Sequence, residues 1–264
     1  MNLFRQNISL AVDLARRDLE AKYKRTLIGW LWLVLTPLCL LGIYSLVFGK
    51  IFGIEWHEQL PTGKSTVGFI LPFFVGLVTY LFVSDVVNSS TTLFVSKRTY
   101  VVKSPFPLWV LWFANLIRAA VHGCVGLALV LALALVQQRL SLAGLGWIMV
   151  ALLNIGVFVA GLSLLLSALG PFIGDISEAI RLLLRVLFYA TPITYPLSML
   201  KPSIQEWMWL NPLTSMVEPL RSAIVFGAPG PPWHVLTFTI SSLLLLVLAW
   251  WVFKRVKGVV SDVV

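Results

Sequence analysis

The chain has 264 residues, of which 59% are hydrophobic and only 12% are charged, and its formal net charge at pH 7 is +9. Soluble domains carry about 25% charged residues, so this composition excludes a soluble globular protein and predicts a chain that crosses a membrane several times. The polar stretches are too short to form a separate domain with its own core. Cys39 and Cys124 lie in apolar runs, where neither a disulfide nor a metal site is expected.

The first segment, residues 1–28, is amphipathic. Its apolar side chains recur at helical spacing, and basic and acidic side chains fill the remaining positions; the apolar set includes Ile8, Ala11, Ala15, Leu19 and Tyr23. This pattern predicts an interfacial helix that lies in the plane of the membrane surface, with its basic residues at the lipid headgroups. The alternative is a soluble basic tail.

Six later segments are apolar enough to predict six membrane-spanning helices, since about 20 residues cross a bilayer. These segments are residues 29–52, 68–95, 108–136, 145–169, 176–200 and 235–253. Residues 54–67 form a polar loop, and residues 96–107 form a short basic connection that ends in a proline. Residues 201–230 contain two apolar stretches that are too short to span, which predicts short re-entrant helices.

The positions of lysine and arginine predict the orientation, because cytoplasmic loops carry an excess of both. Fourteen of them lie before the first span, in residues 96–107, at the start of the fifth span or after the last span, against five on the opposite side. This distribution predicts that both termini are cytoplasmic, which an even number of spans satisfies.

The fifth segment carries a polar stripe. A continuous helix would place on one face the side chains spaced three or four apart, namely Glu178, Arg181, Arg185, Tyr189, Pro192 and Tyr195. Charged groups on a membrane helix avoid lipid, so this face is expected to line a protein interior or a water-filled path. The alternative is a helix end whose charges lie among the headgroups. The two prolines predict a kink or an end near the far side.

Two charges lie deep in neighbouring spans. Asp85 precedes the cytoplasmic end of the second span by about ten residues, and Arg118 follows the start of the third by about ten, so each lies roughly 15 Å from its helix end. We therefore expect Asp85 and Arg118 to pair, or to share a polar cluster with Asn88, Asn115 or His122. The alternative is that each faces water separately.

Four stretches together resemble one family. LARRDLEAKYKRTLIGWLWLVLTPL (residues 14–38), FP (106–107), GPFIGDISEAIRLLLRVLFYATPITYPLSML (170–200) and NPLTSMVEPLRSAI (211–224) are similar to motifs of the type-2 ABC transporter permeases that export polysaccharides. The resemblance covers nearly the whole chain and is closest to the Wzm-type O-antigen exporters, with teichoic-acid and capsule exporters near to them. The connection KRTYVVKSPFP departs from the family pattern, since Val102 replaces the first of two lysines.

The resemblance implies a homodimer in the bacterial inner membrane that works with two ABC ATPase subunits, which bind the ATP and magnesium. The chain has no GxxxxGK[ST] motif to hold a nucleotide phosphate, so it is expected to be a permease subunit without cofactors and not an enzyme. Contact with the ATPase is expected at Lys97, Arg98, Tyr100, Lys103 and Phe106, unless this loop is merely a basic connector. A gate on the periplasmic side is expected at Asn211, Pro212, Glu218 and Arg221.

The implied cargo is a glycan linked to undecaprenyl pyrophosphate, with membrane lipids and no nucleic acid as further partners. Aromatic rings stack on the apolar faces of sugars, which makes Trp30, Tyr44, Tyr189 and Tyr195 candidate channel residues, unless they simply pack between helices. Arg181 and Arg185 are candidates for receiving the lipid pyrophosphate where it enters the path, unless they pair with Glu178 or Asp175.

Two other functions remain open at this point. A type-2 ABC exporter of a drug or lipid would have the same architecture and a different cargo. An ion-coupled secondary transporter would use Asp85, Arg118 and His122 as a relay. An intramembrane enzyme is not expected, because the sequence has no paired catalytic carboxylates, HExxH motif or serine–histidine arrangement.

Overall fold

The computed structural model of the chain describes residues 2–24, 26–54, 56, 68–102 and 106–263. The described residues form helices joined by short turns, and they contain no β-strand. Lys103 and nearly all of the predicted polar loop 54–67 lie outside the described residues.

Five helical segments among the described residues are long and apolar enough to cross a membrane: Gly29–Ile51, Ile70–Thr91, Leu108–Val136, Leu142–Phe172 and Pro232–Val256. They correspond to five of the six predicted spans and confirm an all-helical protein that crosses the membrane several times. The first segment consists of a 3₁₀ turn, helix α2 (Trp32–Tyr44) and a π-helical stretch Ser45–Ile51. The others contain α3 (Ile70–Thr91), α6 (Leu108–Val136), α7 (Leu142–Leu169) and α11 (Pro232–Val256).

The remaining helices are shorter or less apolar. They are α1 (Asn2–Tyr23), α4 (Leu93–Ser96), α5 (Arg98–Val102), α8 (Ile176–Ala190), α9 (Pro202–Met208), α10 (Pro212–Arg221) and α12 (Val260–Val263). The short helices α9 and α10 occupy the region where the sequence predicts two re-entrant helices. A π-helical turn, Ser222–Phe226, follows α10 and ends at Gly227, whose φ of +66° suits glycine.

The fifth predicted span, 176–200, is not one continuous helix. Helix α8 has 15 residues, a length of about 22 Å, which is less than the roughly 30 Å of a bilayer's hydrocarbon core. It ends because Thr191 precedes Pro192, and a residue before proline is driven out of the α conformation. Thr191 accordingly has extended backbone angles, φ −96° and ψ 143°. The polar stripe of the fifth segment therefore ends at Tyr189, and Pro192 is buried instead of sharing that face.

Helix α3 lies at the centre of the bundle. Fourteen of its 22 residues are buried, and it packs against α6, α7, α8 and α10. The large core cluster is built around its side chains Leu71, Phe73, Phe74 and Leu77, each 0–1% exposed. Helices α7 and α11 form the other extensive pair.

Helix α1 packs along α6 at one end of the bundle. Its residues Ala11, Ala15, Leu19 and Tyr23 are buried, which confirms the predicted apolar face, although the helix ends at Tyr23 and not at residue 28. A second core cluster joins this face to α4, α5, α6, α7, α11 and α12. The predicted interfacial helix is thus anchored to the protein itself.

Candidate functional site

Helix α8 has three distinct sides. Leu184 and Phe188 are buried toward α3. A second side carries the predicted polar stripe, on which Arg181, Arg185 and Tyr189 are exposed. Arg181 forms an ion pair with Glu178, one of the two alternatives that the sequence leaves open, and Arg185 lies one turn further along. The third side is apolar and exposed, with Leu182, Leu183 and Val186 49–64% accessible. The polar stripe therefore faces away from the rest of this chain.

Two of the four candidate channel aromatics pack on Phe188, and a third is bonded to one of these two. The ring of Tyr44 lies 5.6 Å from that of Phe188, and the ring of Tyr189 lies 5.1 Å from it in an edge-on arrangement. The Tyr195 hydroxyl points back to the backbone oxygen of Tyr189 at 3.5 Å. The sequence did not point to Tyr80, whose ring is closest to Phe188 at 4.8 Å.

Trp30, the fourth candidate, lies elsewhere. Its ring packs on Tyr23 of α1 at 5.4 Å, and the residue is half exposed near the start of the first apolar segment. The structure thus brings Tyr44, Tyr189 and Tyr195 together and leaves Trp30 beside α1.

Arg221 holds the non-helical backbone that follows α8. Its side chain is 1% exposed. Nε donates to the backbone oxygen of Pro72 at 3.0 Å, and Nη2 donates to the backbone oxygen of Pro192 at 2.9 Å. The same guanidinium pairs with Glu218 and lies 4.3 Å from the ring centre of Trp56. Because a non-helical backbone inside a membrane must be satisfied by protein groups, Arg221 has a structural task that its sequence motif did not reveal.

Asn211 secures the other end of the same turn. Its side-chain oxygen accepts from the backbone N–H of Leu213 at 3.0 Å and so caps helix α10, which begins with Pro212. Its amide nitrogen donates to the Thr191 hydroxyl at 2.8 Å. Thr191 in turn donates to the backbone oxygen of Leu187 at 2.6 Å, at the end of α8. The four predicted gate residues thus form one assembly with the end of α8.

Asp85 and Arg118 are in contact. Arg118 Nη1 donates to Asp85 Oδ2 at 2.9 Å, and Nη2 donates to Ser89 at 3.0 Å and to the side-chain oxygen of Asn115 at 3.2 Å. Asn115 donates on to Ser90, which is bonded to Ser163 of α7 at 2.7 Å. The network joins α3, α6 and α7. Both terminal nitrogens of the Arg118 guanidinium donate hydrogen bonds within it.

His122 links this network to α1. Its Nδ1 lies 3.1 Å from the backbone oxygen of Arg118, and since a carbonyl can only accept, Nδ1 carries the proton. Nε2 therefore accepts from the hydroxyl of Tyr23 at 2.8 Å. Burial, and to a smaller extent the Asp85 carboxylate, raises the pKa of Tyr23, which keeps that hydroxyl protonated.

The region around α4 and α5 is tied to α1. Lys97 forms an ion pair with Asp18 of α1, and the rings of Tyr100 and Phe106 meet edge-on at 5.7 Å. Arg98 is exposed. The contact of Lys97 with Asp18 joins the region in which the sequence predicts contact with the ATPase to helix α1.

Comparisons with known proteins show the family to which the chain belongs. The sequence profile described as ABC-2 type transporter matches residues 12–225. The chain belongs to the ABC-2 type transporter family. An O-antigen export system permease protein, RfbA, of Klebsiella pneumoniae is 24% identical over 94% of this chain and 92% of its own length. An RfbA of Myxococcus xanthus is 26% identical over 79% and 77%, and the polysialic acid transport protein KpsM of Escherichia coli is 20% identical over 80% and 79%.

The matched region of this ABC-2 chain includes all of the assemblies described above, from Asp18 to Arg221. Membership favours a permease subunit and decides against an ion-coupled secondary transporter. Within the described parts of the ABC-2 chain, no three metal-ligating side chains lie together.

Several supporting contacts had no signal in the sequence. The acceptors of Arg221 include the backbone oxygens of Pro72 and Pro192. Every residue has a backbone oxygen, so the sequence does not indicate which of them will accept a hydrogen bond from a side chain. The pair of Asp18 with Lys97 joins residues 79 positions apart. His122, one helical turn beyond Arg118, differs from these contacts, because the sequence indicates it as a possible member of the polar cluster.

Proposed function

We propose that this chain is the transmembrane subunit of an ATP-driven ABC exporter that moves a lipid-linked polysaccharide, most simply an O-antigen, across the bacterial inner membrane. The structural observation that carries the proposal is the outward-facing polar stripe of α8. Arg181, Arg185 and Tyr189 lie on a helix beside the central helix, and their side chains are exposed away from the chain's own core.

The stripe suits a long, heterogeneous glycan. Tyr189 offers an exposed ring for the apolar face of a sugar, and such stacking does not require one sugar sequence. Arg181 and Arg185 offer cationic groups for a lipid pyrophosphate. The relatives named for O-antigen export and polysialic acid transport support a glycan over a drug or a simple lipid.

The proposal includes a homodimer and two ATPase subunits. Charged and tyrosine side chains on α8 cannot face lipid without cost, so a second copy is placed opposite them, with the two stripes lining one path. The joined surfaces of α1, α4 and α5 would receive the motion of the ATPase, with Arg98 exposed for that contact. ATP and magnesium belong to the partner subunit.

The proposed topology has six crossings and two cytoplasmic termini. The sixth crossing consists of α8 together with residues 191–196, of which all but Tyr195 are buried. Burial in protein is the condition under which non-helical backbone is tolerated at membrane depth. Helices α9 and α10 would then enter and leave on the periplasmic side.

Cysteine labelling tests this topology. In a background in which Cys39 and Cys124 are replaced by serine, single cysteines at the exposed positions Lys201 and Pro229 should both react with an impermeant reagent added to intact spheroplasts. A cysteine at Arg98 should react only after lysis. Labelling of Lys201→Cys and Pro229→Cys from opposite sides would refute six crossings.

Export itself tests the function. The chain should be co-expressed with its ATPase in a host that makes the glycan but lacks its own permease, and surface glycan should be measured. Tyr189→Ala should lower export at unchanged chain level, whereas Val186→Ala, on the apolar side of the same helix, should not. Co-purification of the ATPase should remain for both variants. Normal export by Tyr189→Ala, and by Tyr195→Ala as well, would assign the stripe to packing between helices.

A further inference from the structure

A cavity of about 490 Å³ lies between α1, α2, α3 and α6. We name it the Tyr23 cavity, after the α1 residue that lines it together with Lys22, Trp32, Phe82 and His122. Helix α1 packs along α6, and the cavity separates α1 from α2. Its volume is that of a typical small-molecule site.

One end of the Tyr23 cavity is polar and cationic. Lys22 Nζ lies 3.4 Å from His122 Nε2, which already accepts from the Tyr23 hydroxyl. Thr26 and Thr36 line the same space, and the Thr26 hydroxyl donates to the backbone oxygen of Tyr23 at 2.9 Å. Asp85 also lines it, but its carboxylate is paired with Arg118.

The local charge favours an anion. Among the described residues, no carboxylate is paired with the Lys22 ammonium. A neighbouring cavity shares Tyr23 and Thr26 with this one and adds Lys24 and the Arg16–Glu20 ion pair. Once these two ion pairs are set aside, Lys22 and Lys24 are cations beside the polar end for which the described part of the chain supplies no ion-pair partner. Lysine ammonium groups bind phosphate as point charges.

The other end of the Tyr23 cavity is apolar. Leu33 and Pro37 of α2 face Val78, Leu81 and Phe82 of α3 across it. Trp32, 42% exposed at the start of α2, lines the cavity too, and tryptophan at a helix end is typical of the level of the lipid headgroups. A polar, cationic end beside an apolar slot at this level matches the two halves of a lipid.

We propose that the Tyr23 cavity is a binding site for a resident membrane phospholipid with an anionic phosphate headgroup. The phosphate lies beside Lys22 and Thr36, and the upper part of one acyl chain lies between α2 and α3. The lipid fills the gap between α1 and α2 and so adds contacts on the side of α1 that faces α2. The site is separate from the α8 stripe, and the proposal does not depend on the cargo.

Lipid binding to the purified full chain tests the proposal. The chain is delipidated in mild detergent and titrated with phosphatidylglycerol, and bound lipid is counted by native mass spectrometry. Lys22→Gln removes the cation, and Thr36→Trp fills the space from an exposed position of α2. Arg17→Gln is the matched control, because it removes the same charge from an exposed position of α1 outside the cavity. Retained helix content by circular dichroism establishes that each variant is folded.

We expect one tightly bound phosphatidylglycerol per wild-type chain and per Arg17→Gln chain, and weaker binding of phosphatidylcholine. Lys22→Gln should bind phosphatidylglycerol about fivefold more weakly, the usual effect of one lysine at an anionic lipid. Thr36→Trp should lose the tight site. Hydrogen exchange in α1 should slow when the wild-type chain binds the lipid.

Three outcomes would overturn the proposal. Equal binding by all four chains would show that the lipid is not in this cavity. Lys22-dependent binding of inorganic phosphate alone, as strong as that of the lipid, would assign the site to a soluble anion. Displacement of phosphatidylglycerol by a polyprenyl pyrophosphate at equal concentration would assign the cavity to the exported lipid. A failure of glycan export in the earlier experiment would leave all of these results unchanged.

Discussion

Two arginines are buried among the residues that the structure describes, and they are held in different ways. Arg118 bonds to side chains, namely Asp85, Ser89 and Asn115, on two long neighbouring helices. Arg221 bonds to backbone oxygens, those of Pro72 and Pro192, and pairs with Glu218 on its own helix. The first arginine joins helices that are already regular, and the second supplies hydrogen bonds to a place where a helix has ended.

This difference explains why the two arginines should respond differently to mutation. The Asp85–Arg118 pair consists of two compensating charges, so removing both leaves no stranded charge. Removing Arg221 takes the donor away from the non-helical backbone oxygen of Pro192, and no second substitution can remove that oxygen. Partner removal at a buried charge is costly in both cases, but only the first case can be rescued by a matched change.

The largest effect is expected for Arg221→Met. The variant removes the buried cation that pairs with Glu218 and the donor to the non-helical backbone oxygen of Pro192, and we expect a loss of about 3–5 kcal/mol in the free energy of unfolding, with a low yield of folded chain. Denaturant unfolding of the purified chain in detergent measures the loss. Lys201→Met, at an exposed position of the same region, should change the free energy of unfolding little. Comparable stability of Arg221→Met and Lys201→Met would contradict the structural role assigned to Arg221.

A smaller and reversible effect is expected at the other arginine. Arg118→Gln should lower the free energy of unfolding by about 2–3 kcal/mol, and Asp85→Asn by less, since the Asp85 side chain is 27% exposed. The double variant should recover about 1 kcal/mol or more of the summed loss. Purely additive losses would contradict a direct pairing energy between Asp85 and Arg118. Neither buried arginine could then be rescued by a matched change.

Gly76 tests the close approach of Arg221 to α3. A Cβ at this position would lie 3.0 Å from Arg221 Nη2 and 3.2 Å from a methyl carbon of Ile193. Gly76→Ala should therefore cost about 1–3 kcal/mol of unfolding free energy through overpacking. Gly156→Ala provides the control, because nothing lies within 4 Å of a Cβ there and alanine favours a helix. A neutral Gly76→Ala would mean that the Arg221 assembly shifts without cost.

The smallest effect is expected for Tyr23→Phe, which removes only the hydroxyl that donates to His122. We expect a loss of about 0.5–1.5 kcal/mol, and faster hydrogen exchange in α1 than in α6. In Tyr100→Phe, the edge-on ring contact with Phe106 is kept, so that variant should remain close to wild type. Equal effects of the two changes would show that the Tyr23–His122 hydrogen bond does not couple α1 to the Arg118 network.

The long helices and the Asp85–Arg118 contact could be predicted from the sequence because both depend on distance along the chain. A run of about 20 apolar residues has one stable form in lipid, and two charges at matched depth in adjacent helices are within reach of each other. The fifth segment was less predictable. Its composition suits a span, but the Thr191–Pro192 step ends the helix at Ala190, and hydropathy does not register that break.

The amino-acid sequence by itself determined the helical class, five long apolar helices, the amphipathic face of α1 and the family, since these follow from local composition, periodicity and motifs. Only the tertiary structure decided which groups satisfy the broken backbone after α8, that α1 is bonded to α6 through Tyr23 and His122, and that a cavity separates α1 from α2. The physical reason is that hydrogen bonds to backbone oxygens and spaces between helices depend on how the helices pack, and no local pattern of side chains encodes that packing.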